Sequence, residues 1–340
     1  MKSKKVILFT VVIAFSFLLM QCTKEGPMGP PGADGLNGQD GNVVCLECHS
    51  AENADAVMAL FMQSIHYQSV TQYNGQPTYI YAGEGENRKS CAPCHTHEGF
   101  VEVMFTGRDT LVEALVGPSH ITCETCHSNH QSFDFETDGQ DYALRLTEAT
   151  TLLVGGDVVD LGGTSNACLF CHQPRRGWDS YDDGSYSHPD SVYISSSHAG
   201  PHHGPQAIVL IGKGGIADGD ESGHIDLGCT GCHMGEAGTD IGGHSFWPNV
   251  ANCTECHSDA TDFDVNGSQT ALHTKVESLK TKLQTAGVLD VDGHTVVGVY
   301  HRDVFQAWWN FMVVEEDKSM GVHNPGYCEA LIDDAIALLP

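Results

Sequence analysis

Cysteine and histidine recur together in a five-residue pattern, Cys-x-x-Cys-His, which occurs six times in this chain of 340 residues. The six motifs contain 12 of the 14 cysteines. Two thiols separated by two residues are also found in zinc sites, redox dithiols and disulfide frameworks, so this spacing alone leaves several chemistries open. In chain order, motifs one to six occupy residues 45–49, 91–95, 123–127, 168–172, 229–233 and 253–257.

The histidine directly after each cysteine pair favours covalent haem attachment over zinc binding and disulfide bonding. Two thiols on one turn can add to the vinyl groups at one porphyrin edge, and the next residue then lies beneath the ring, where its imidazole reaches the iron. The sequence therefore predicts six c-type haems. The predicted thioether residues are Cys45, Cys48, Cys91, Cys94, Cys123, Cys126, Cys168, Cys171, Cys229, Cys232, Cys253 and Cys256. The predicted proximal iron ligands are His49, His95, His127, His172, His233 and His257.

The second axial position of each iron decides between electron transfer and catalysis, because a second histidine saturates the metal whereas an open position admits a substrate. The chain has 20 histidines, comfortably more than the proximal and distal positions require. No catalytic residue is predicted. The predicted distal ligands are His66, His120, His198, His203, His244 and His323. The other histidines expected at the surface or against haem carboxylates are His97, His188, His224, His273, His294 and His301, of which the sequence excludes neither His224 nor His301 as a ligand.

Local context supports individual members of the distal set. His120 lies three residues before Cys123, too close for an easy approach to its own iron, so we expect it to serve a neighbouring haem. His323 precedes Asn324 and Pro325, which are favourable residues at a helix start, and this places it in a braced loop. In the segment 196–204, His203 is preferred only slightly over His202.

The first 21 residues resemble a secretion signal, with basic residues followed by a short apolar run. The run ends in "LLMQC", which resembles a bacterial lipoprotein signal and predicts lipidation of Cys22. Gln21 departs from that pattern, since a small residue is usual before the cysteine. Ordinary cleavage that releases a soluble protein is the alternative, and both interpretations predict export.

Residues 22–41 contain a collagen-like repeat with glycine at every third position from Gly26 to Gly41. Five triplets are few for a triple helix, so a flexible or polyproline-like spacer is favoured and trimerisation is the alternative.

Composition divides the remainder into a predicted hexahaem domain, residues 42–264, and a predicted helical cap, residues 265–340. The first part is rich in Gly, Asp, Ser and Pro and has few long periodic segments, so covalent haems would have to provide much of its core. The second part has three segments of helical periodicity, beginning near Leu272, near Val304 and after Pro325. The expected fold is mostly α-helix and irregular loops around a haem core, with helices at the C-terminus.

The chain resembles exported multihaem c-type cytochromes related to the nitrite, hydroxylamine and tetrathionate reductase group. The resemblance covers roughly residues 42–340 and is carried by "NACLFCHQPRR", "SSHAGPHHGPQA", "GGHSFWPNVANCTECH" and most specifically "VYHRDVFQAWWNFMVVEEDKSMGVHNPGYCEALIDDAI". Nitrite reductases of this group have a Cys-x-x-Cys-Lys motif at the catalytic haem, and this sequence has none. The resemblance therefore implies an electron carrier. The alternatives are an oxyanion reductase with one open haem and a subunit of a polymeric extracellular haem wire.

Charge and the remaining motifs bear on partners. The net charge of −28 excludes a nucleic-acid footprint, and the expected partners are other cytochromes or redox proteins, with a membrane contact through Cys22. The expected location is the periplasm or the cell surface, as an outer-membrane lipoprotein. Segments 218–226 and 262–267 resemble the start of calcium loops, but Cys229 and His273 stand where the twelfth-position acid belongs, so solvated turns are favoured over calcium.

Overall fold

The structure is a computed structural model that divides into two compact units, residues 1–53 and 54–340. The residues that it describes are 45–46, 48–68, 72–73, 75–134, 141–181, 188–202, 204–238 and 241–340. The predicted signal segment, Cys22, the collagen-like repeat and His203 lie outside them. In the first unit, motif one begins a helical stretch, and its residues Cys45, Cys48 and His49 are exposed.

Short helices separated by long irregular connections make up most of the described chain before residue 264. In the N-terminal half the helices are α1 Ala51–Phe61, α2 Thr78–Gly83, α3 Ala92–His95, α4 His97–Thr106, α5 Cys123–Cys126 and α6 Gly163–Leu169. In the C-terminal half they are α7 Gln206–Leu210, α8 Gly228–His233, α9 Val250–Cys253, α10 Ser268–Thr285, α11 Arg302–Asp317 and α12 Pro325–Leu338.

Sheet structure within the described residues is confined to three antiparallel strand pairs. Two are hairpins of two-residue strands, β1 Gln72–Tyr73 with β2 Gln76–Pro77 and β3 Thr150–Thr151 with β4 Val158–Val159. The third pairs distant parts of the chain, β5 Ser191–Ile194 with β6 Gly298–His301. This last ladder fastens a loop between motifs four and five to the start of α11.

The buried apolar residues around motifs two to five form two small clusters. One consists of Ala92, Val103 and Leu111. The other consists of Leu152, Val159, Leu169, Ala207, Ile208 and Ile211. Such small clusters leave the loops of this region with little apolar core of their own.

Helix α10 has the predicted amphipathic pattern. Leu272, Val276, Leu279 and Leu283 are buried on one face. The helix ends where Gly287 adopts a left-handed conformation, and the Val288 amide donates to the Leu283 carbonyl. These features are those of a Schellman C-cap, so the predicted helix and its end at Gly287 are confirmed.

Helices α11 and α12 pack on α10 and form the largest apolar cluster. Trp308 and Trp309 of α11 are fully buried, and each indole N–H has an acceptor. The Trp308 indole donates to the Thr295 hydroxyl at 3.2 Å, and the Trp309 indole donates to the Gly214 carbonyl at 2.7 Å. Burial of both rings without an unpaired donor makes this cluster a conventional protein core.

Asn324 joins the C-terminal helices to the loop that precedes motif five. Its side-chain oxygen accepts from the Tyr327 amide at the start of α12, as predicted for an N-cap. Its side-chain amide donates to the carbonyls of Val209 and Asp220 at 3.1 and 2.9 Å. None of the helices in the described part of the chain is long and apolar enough to cross a membrane.

Candidate haem-binding sites

Each Cys-x-x-Cys-His motif of the second unit folds as a tight helical turn. In motifs three, four and six, the amide of the histidine donates to the carbonyl of the first cysteine at 2.8–3.0 Å. Residues three apart on a helical turn share a face, so the two thiols point to the same side and the histidine follows them. None of the thirteen described cysteines is in a disulfide. The local geometry is therefore that required for two thioether bonds to one porphyrin edge.

Five of the six predicted proximal histidines face a second histidine from a distant part of the chain. The distances between ring centroids are nearly uniform, from 6.1 to 6.3 Å. The angles between ring planes range from 29° to 82°. The pairs are His95 with His202, His127 with His244, His172 with His66, His233 with His323 and His257 with His224.

This spacing fits an iron ion between the two rings. Each imidazole–metal bond is about 2.0 Å long and each ring centre lies about 1.1 Å behind its coordinating nitrogen, so two axial imidazoles have centres about 6.2 Å apart. A direct hydrogen bond between two imidazole nitrogens about 2.9 Å apart would bring the ring centres about 1 Å closer together. The residues present therefore fit a haem with two histidine ligands at each of these five motifs.

The ring nitrogens on the other side of several paired histidines are held by acceptors. The Nδ1 atoms of His127, His233 and His224 lie 2.8–2.9 Å from the backbone carbonyls of Tyr142, Phe246 and Val322, respectively. His172 Nδ1 lies 3.4 Å from the Gln206 side-chain oxygen, and His323 Nδ1 lies 2.7 Å from Asp317 Oδ1. An acceptor at Nδ1 fixes the tautomer that presents Nε2 to a metal, an arrangement usual for metal-ligating histidines.

The environment keeps four of the paired imidazoles neutral. Desolvation by burial and the neighbouring His172 lower the pKa of His66 to about 4. Burial also lowers the pKa of His172, His233 and His244. Burial would lower the pKa of His323 as well, but the charge and hydrogen bond of Asp317 outweigh it and raise that pKa. Neutral imidazole is the form that coordinates a metal, so burial favours ligation at these four histidines.

The structure places three of the predicted distal histidines each opposite a different proximal histidine, namely His66, His244 and His323. His202 takes the position opposite His95, whereas His203, which the sequence preferred, lies outside the described residues. His202 has a left-handed backbone with a φ of 76°. The choice between these adjacent histidines thus depends on a local backbone conformation that their residue types do not determine.

His224 is the paired histidine that the sequence predicts among the surface histidines, without excluding it as a ligand. Its ring lies opposite His257, and its Nδ1 contacts the Val322 carbonyl. The sequence does contain a signal for this pairing. His224 lies five residues before Cys229, much as the predicted ligand His120 lies three residues before Cys123. A histidine just upstream of one motif is well placed to reach a neighbouring haem.

Ligation by every predicted distal histidine, including His120 and His198, remains a prediction. His120 is half-buried, its Nδ1 lies 2.6 Å from the Ile121 carbonyl, and the rings of Tyr67 and Tyr79 contact it edge-on. Its tautomer thus leaves Nε2 available. His198 is exposed, and its backbone amide donates to the Ser196 hydroxyl.

Motif four lies at the centre of the described motifs. The Cys94 thiol of motif two donates to the Phe170 carbonyl within motif four at 3.8 Å. The Thr230 amide of motif five donates at 3.2 Å to the hydroxyl of Ser165, on the helix that leads into motif four. Motifs two and five therefore contact motif four or the helix that precedes it.

Further contacts extend this cluster in both directions. His97, next to motif two, has its Nδ1 3.0 Å from the Thr125 hydroxyl of motif three. Asn252, next to motif six, donates to the Cys232 carbonyl of motif five at 2.9 Å. Motifs two to six thus form one contiguous group within the second unit.

Phe246 contacts residues of three different sites. Its ring centroid lies 4.8 Å from that of His66 and 6.0 Å from that of His244, and its carbonyl accepts from His233. Its backbone is left-handed, with a φ of 57°. This one residue therefore helps to position imidazoles that face motifs three and four as well as the histidine of motif five.

Elsewhere among the described residues, three side chains are close enough together to bind a metal ion. Asp290, Asp292 and His294 bring their ligand atoms within 4.8 Å of one another in a largely exposed turn. Neither of the calcium-like segments at 218–226 and 262–267 contributes to it.

Comparison with known proteins supports the haem interpretation. Residues 33–183 match the family described as outer membrane cytochrome MtrC/MtrF-like, domains II/IV. The crystal structure of the outer cell wall cytochrome OcwA is similar, with 17% identity and a TM-score of 0.53, over 83% of this chain and 50% of that one. An undecaheme cytochrome from the S-layer of Carboxydothermus ferrireducens has 19% identity and a TM-score of 0.48, over 82% of this chain and 41% of that one. No curated protein sequence matches the chain.

These findings confirm the expected class and fold. The chain has the fold of multihaem cytochromes, mostly α-helix and irregular loops, and the part that matches the cytochrome family contains the first four Cys-x-x-Cys-His motifs. It spans about half the length of the OcwA chain that it matches.

Proposed function

We propose that this protein transfers electrons through six covalently bound c-type haems at the cell envelope or cell surface. The observation that carries the proposal is the set of five histidine pairs at a uniform centroid distance of 6.1–6.3 Å. When bound, each haem supplies a one-electron Fe(III)/Fe(II) couple. Two histidine ligands at an iron leave no axial position for a substrate, which favours transfer over catalysis.

The arrangement of the motifs supports transfer between sites. Motif two contacts motif four through Cys94 and Phe170, and motif five contacts the helix before motif four through Thr230 and Ser165. Asn252 continues the series from motif five to motif six. We infer a path through these five motifs in the spatial order three, two, four, five and six.

Export and a surface location are the second part of the proposal. The matched family is described as an outer membrane cytochrome and the similar structure is that of an outer cell wall cytochrome. The basic and apolar segment before Cys22 supports export, and lipidation of Cys22 would anchor the protein. Other cytochromes or redox proteins would be the electron donors and acceptors. Protease treatment of intact cells, compared with a Cys22→Ser variant, tests exposure and anchoring together.

The haem count and ligation are tested by a pyridine haemochrome assay and by carbon monoxide binding to the reduced protein. We expect six haems per chain and an absorption spectrum that carbon monoxide leaves unchanged, because every iron is saturated. Binding equivalent to about one haem in six would instead reveal an open site. That outcome would contradict the proposal and favour an oxyanion reductase.

A His66→Ala variant sharpens this test because it removes the histidine opposite His172. We expect the variant to bind carbon monoxide at one haem and to lose one low-spin ferric signal. His273→Ala is the matched control, since His273 is exposed on α10, and it should behave as the unmodified protein. Equal responses from the two variants would show that His66 is not a ligand.

A further inference from the structure

The acceptor of His323 is a carboxylate, whereas the acceptors of four other paired histidines are neutral. Backbone carbonyls serve His127, His233 and His224, and the neutral Gln206 amide serves His172. At His323 the acceptor is Asp317, whose Oδ1 lies 2.7 Å from the histidine Nδ1. The charge on the acceptor therefore distinguishes the site of motif five.

The surroundings of Asp317 hold this carboxylate in place. Its side chain is fully buried at the end of α11, and its second oxygen accepts from the Ser319 hydroxyl. The same Ser319 hydroxyl also accepts from the His323 amide at 3.2 Å. Gln206 donates to the Asp317 carbonyl at 3.2 Å. A buried charge with both oxygens paired interacts strongly with its neighbours, because little water screens it.

We propose that Asp317 selectively lowers the reduction potential of the haem attached at motif five, through its hydrogen bond to the distal ligand His323. A carboxylate that accepts the Nδ1 proton makes the imidazole a stronger electron donor, and its negative charge favours Fe(III) over Fe(II). On the opposite side of the same site, His233 is held by the neutral Phe246 carbonyl. The inference rests on the proposed two-histidine ligation of that haem.

The consequence concerns the direction of electron flow. Motif five lies between the helix that leads into motif four, through Thr230 and Ser165, and motif six, through Asn252. A lowered reduction potential would make the haem at motif five a ready electron donor to the haems at motifs four and six. Asp317 is thus a positioning and tuning residue, and it contacts the ligand rather than the iron.

The test is spectroelectrochemical titration of the full haem-loaded protein and an Asp317→Asn variant, with the six one-electron components resolved. We expect the equilibrium constant for reduction of one component to rise about tenfold. Its reduction potential then rises by about 59 mV, the equivalent of a tenfold change for one electron. The remaining components should move much less, and one low-spin ferric signal should change in the electron paramagnetic resonance spectrum. A general loss of structure would shift all components or change the haem content.

Glu315→Gln is the matched control, because Glu315 is a partly exposed acid on the same helix, paired with Lys318. It should leave every potential nearly unchanged. Equal shifts in the two variants, or no selective shift with Asp317→Asn, would overturn the inference.

If the Asp317→Asn variant does not incorporate its full set of haems, a Ser319→Ala variant tests the same proposal. Loss of the hydroxyl frees the carboxylate to accept more strongly from His323, so the same component should become harder to reduce. An unchanged or raised potential would contradict the proposal. The haem content and low-spin spectrum of the unmodified protein are measured first, so that failure of this inference can be told apart from failure of the proposed function. Six low-spin haems without the selective shifts would refute only the role of Asp317.

Discussion

The region of the motifs, residues 54–264, and the helical region, residues 265–340, are built in different ways. The first has short helices and small apolar clusters, while the large apolar cluster belongs mainly to the second. In that large cluster, all buried members except Val192, Ile194, Ala199 and Val209 lie between Leu272 and Leu339.

The contrast shows two sources of cohesion in one compact unit. In the helical region, apolar side chains bury one another, as in an ordinary α-helical protein. In the motif region, the long-range pairing is between histidines whose spacing fits an iron ion between the two rings. There each haem would supply an apolar surface and bonds from two cysteines and two histidines, which restrain the loops as metals and disulfides restrain other small cores.

Removal of haem should have the largest effect and should separate the two regions. In full-length protein produced without haem attachment, we expect the amides of α4 and of the Cys-x-x-Cys-His turns to exchange rapidly, while those of α11 remain the best protected. Hydrogen exchange read by mass spectrometry, with the haem-loaded protein as reference, measures this. Equal protection of α4 and α11 without haem would remove the basis of the comparison.

Trp308→Ala should have the next largest effect, and it acts on the helical region. Loss of a fully buried indole leaves a cavity and an unpaired Thr295 hydroxyl, so the free energy of unfolding should fall by about 3–5 kcal/mol. Guanidinium denaturation followed by circular dichroism measures the change. Phe105→Ala is the control, since Phe105 is 90% exposed and its loss should cost within about 0.5 kcal/mol.

Asn324→Ala should have a smaller effect and tests the connection between the regions. The substitution removes the cap of α12 and the two bonds to Val209 and Asp220, so we expect a loss of about 2 kcal/mol. The same denaturation measurement applies, and Asn129→Ala, at an exposed position, should change stability little. A loss no larger than that of the control would mean that these bonds do not couple the loop to the helices.

Local patterns explain what could be predicted from the sequence. The Cys-x-x-Cys-His motifs are complete within five residues, so chemistry and spacing predict the proximal ligands without knowledge of the fold. Helix α10 was likewise predictable, because Leu272, Val276, Leu279 and Leu283 are spaced at helical intervals and Gly287 marks the end. The N-cap role of Asn324 followed from the same kind of local signal.

Tertiary structure decided which histidine faces which motif. Partners such as His224 and His257 are 33 residues apart in the chain, and His127 and His244 are 117 apart. No periodicity relates such positions, because their approach depends on how the irregular loops pack. Residue types therefore determined that this chain carries haems, whereas the fold alone decided that His202 and His224 face proximal histidines and that a buried carboxylate, Asp317, lies behind His323.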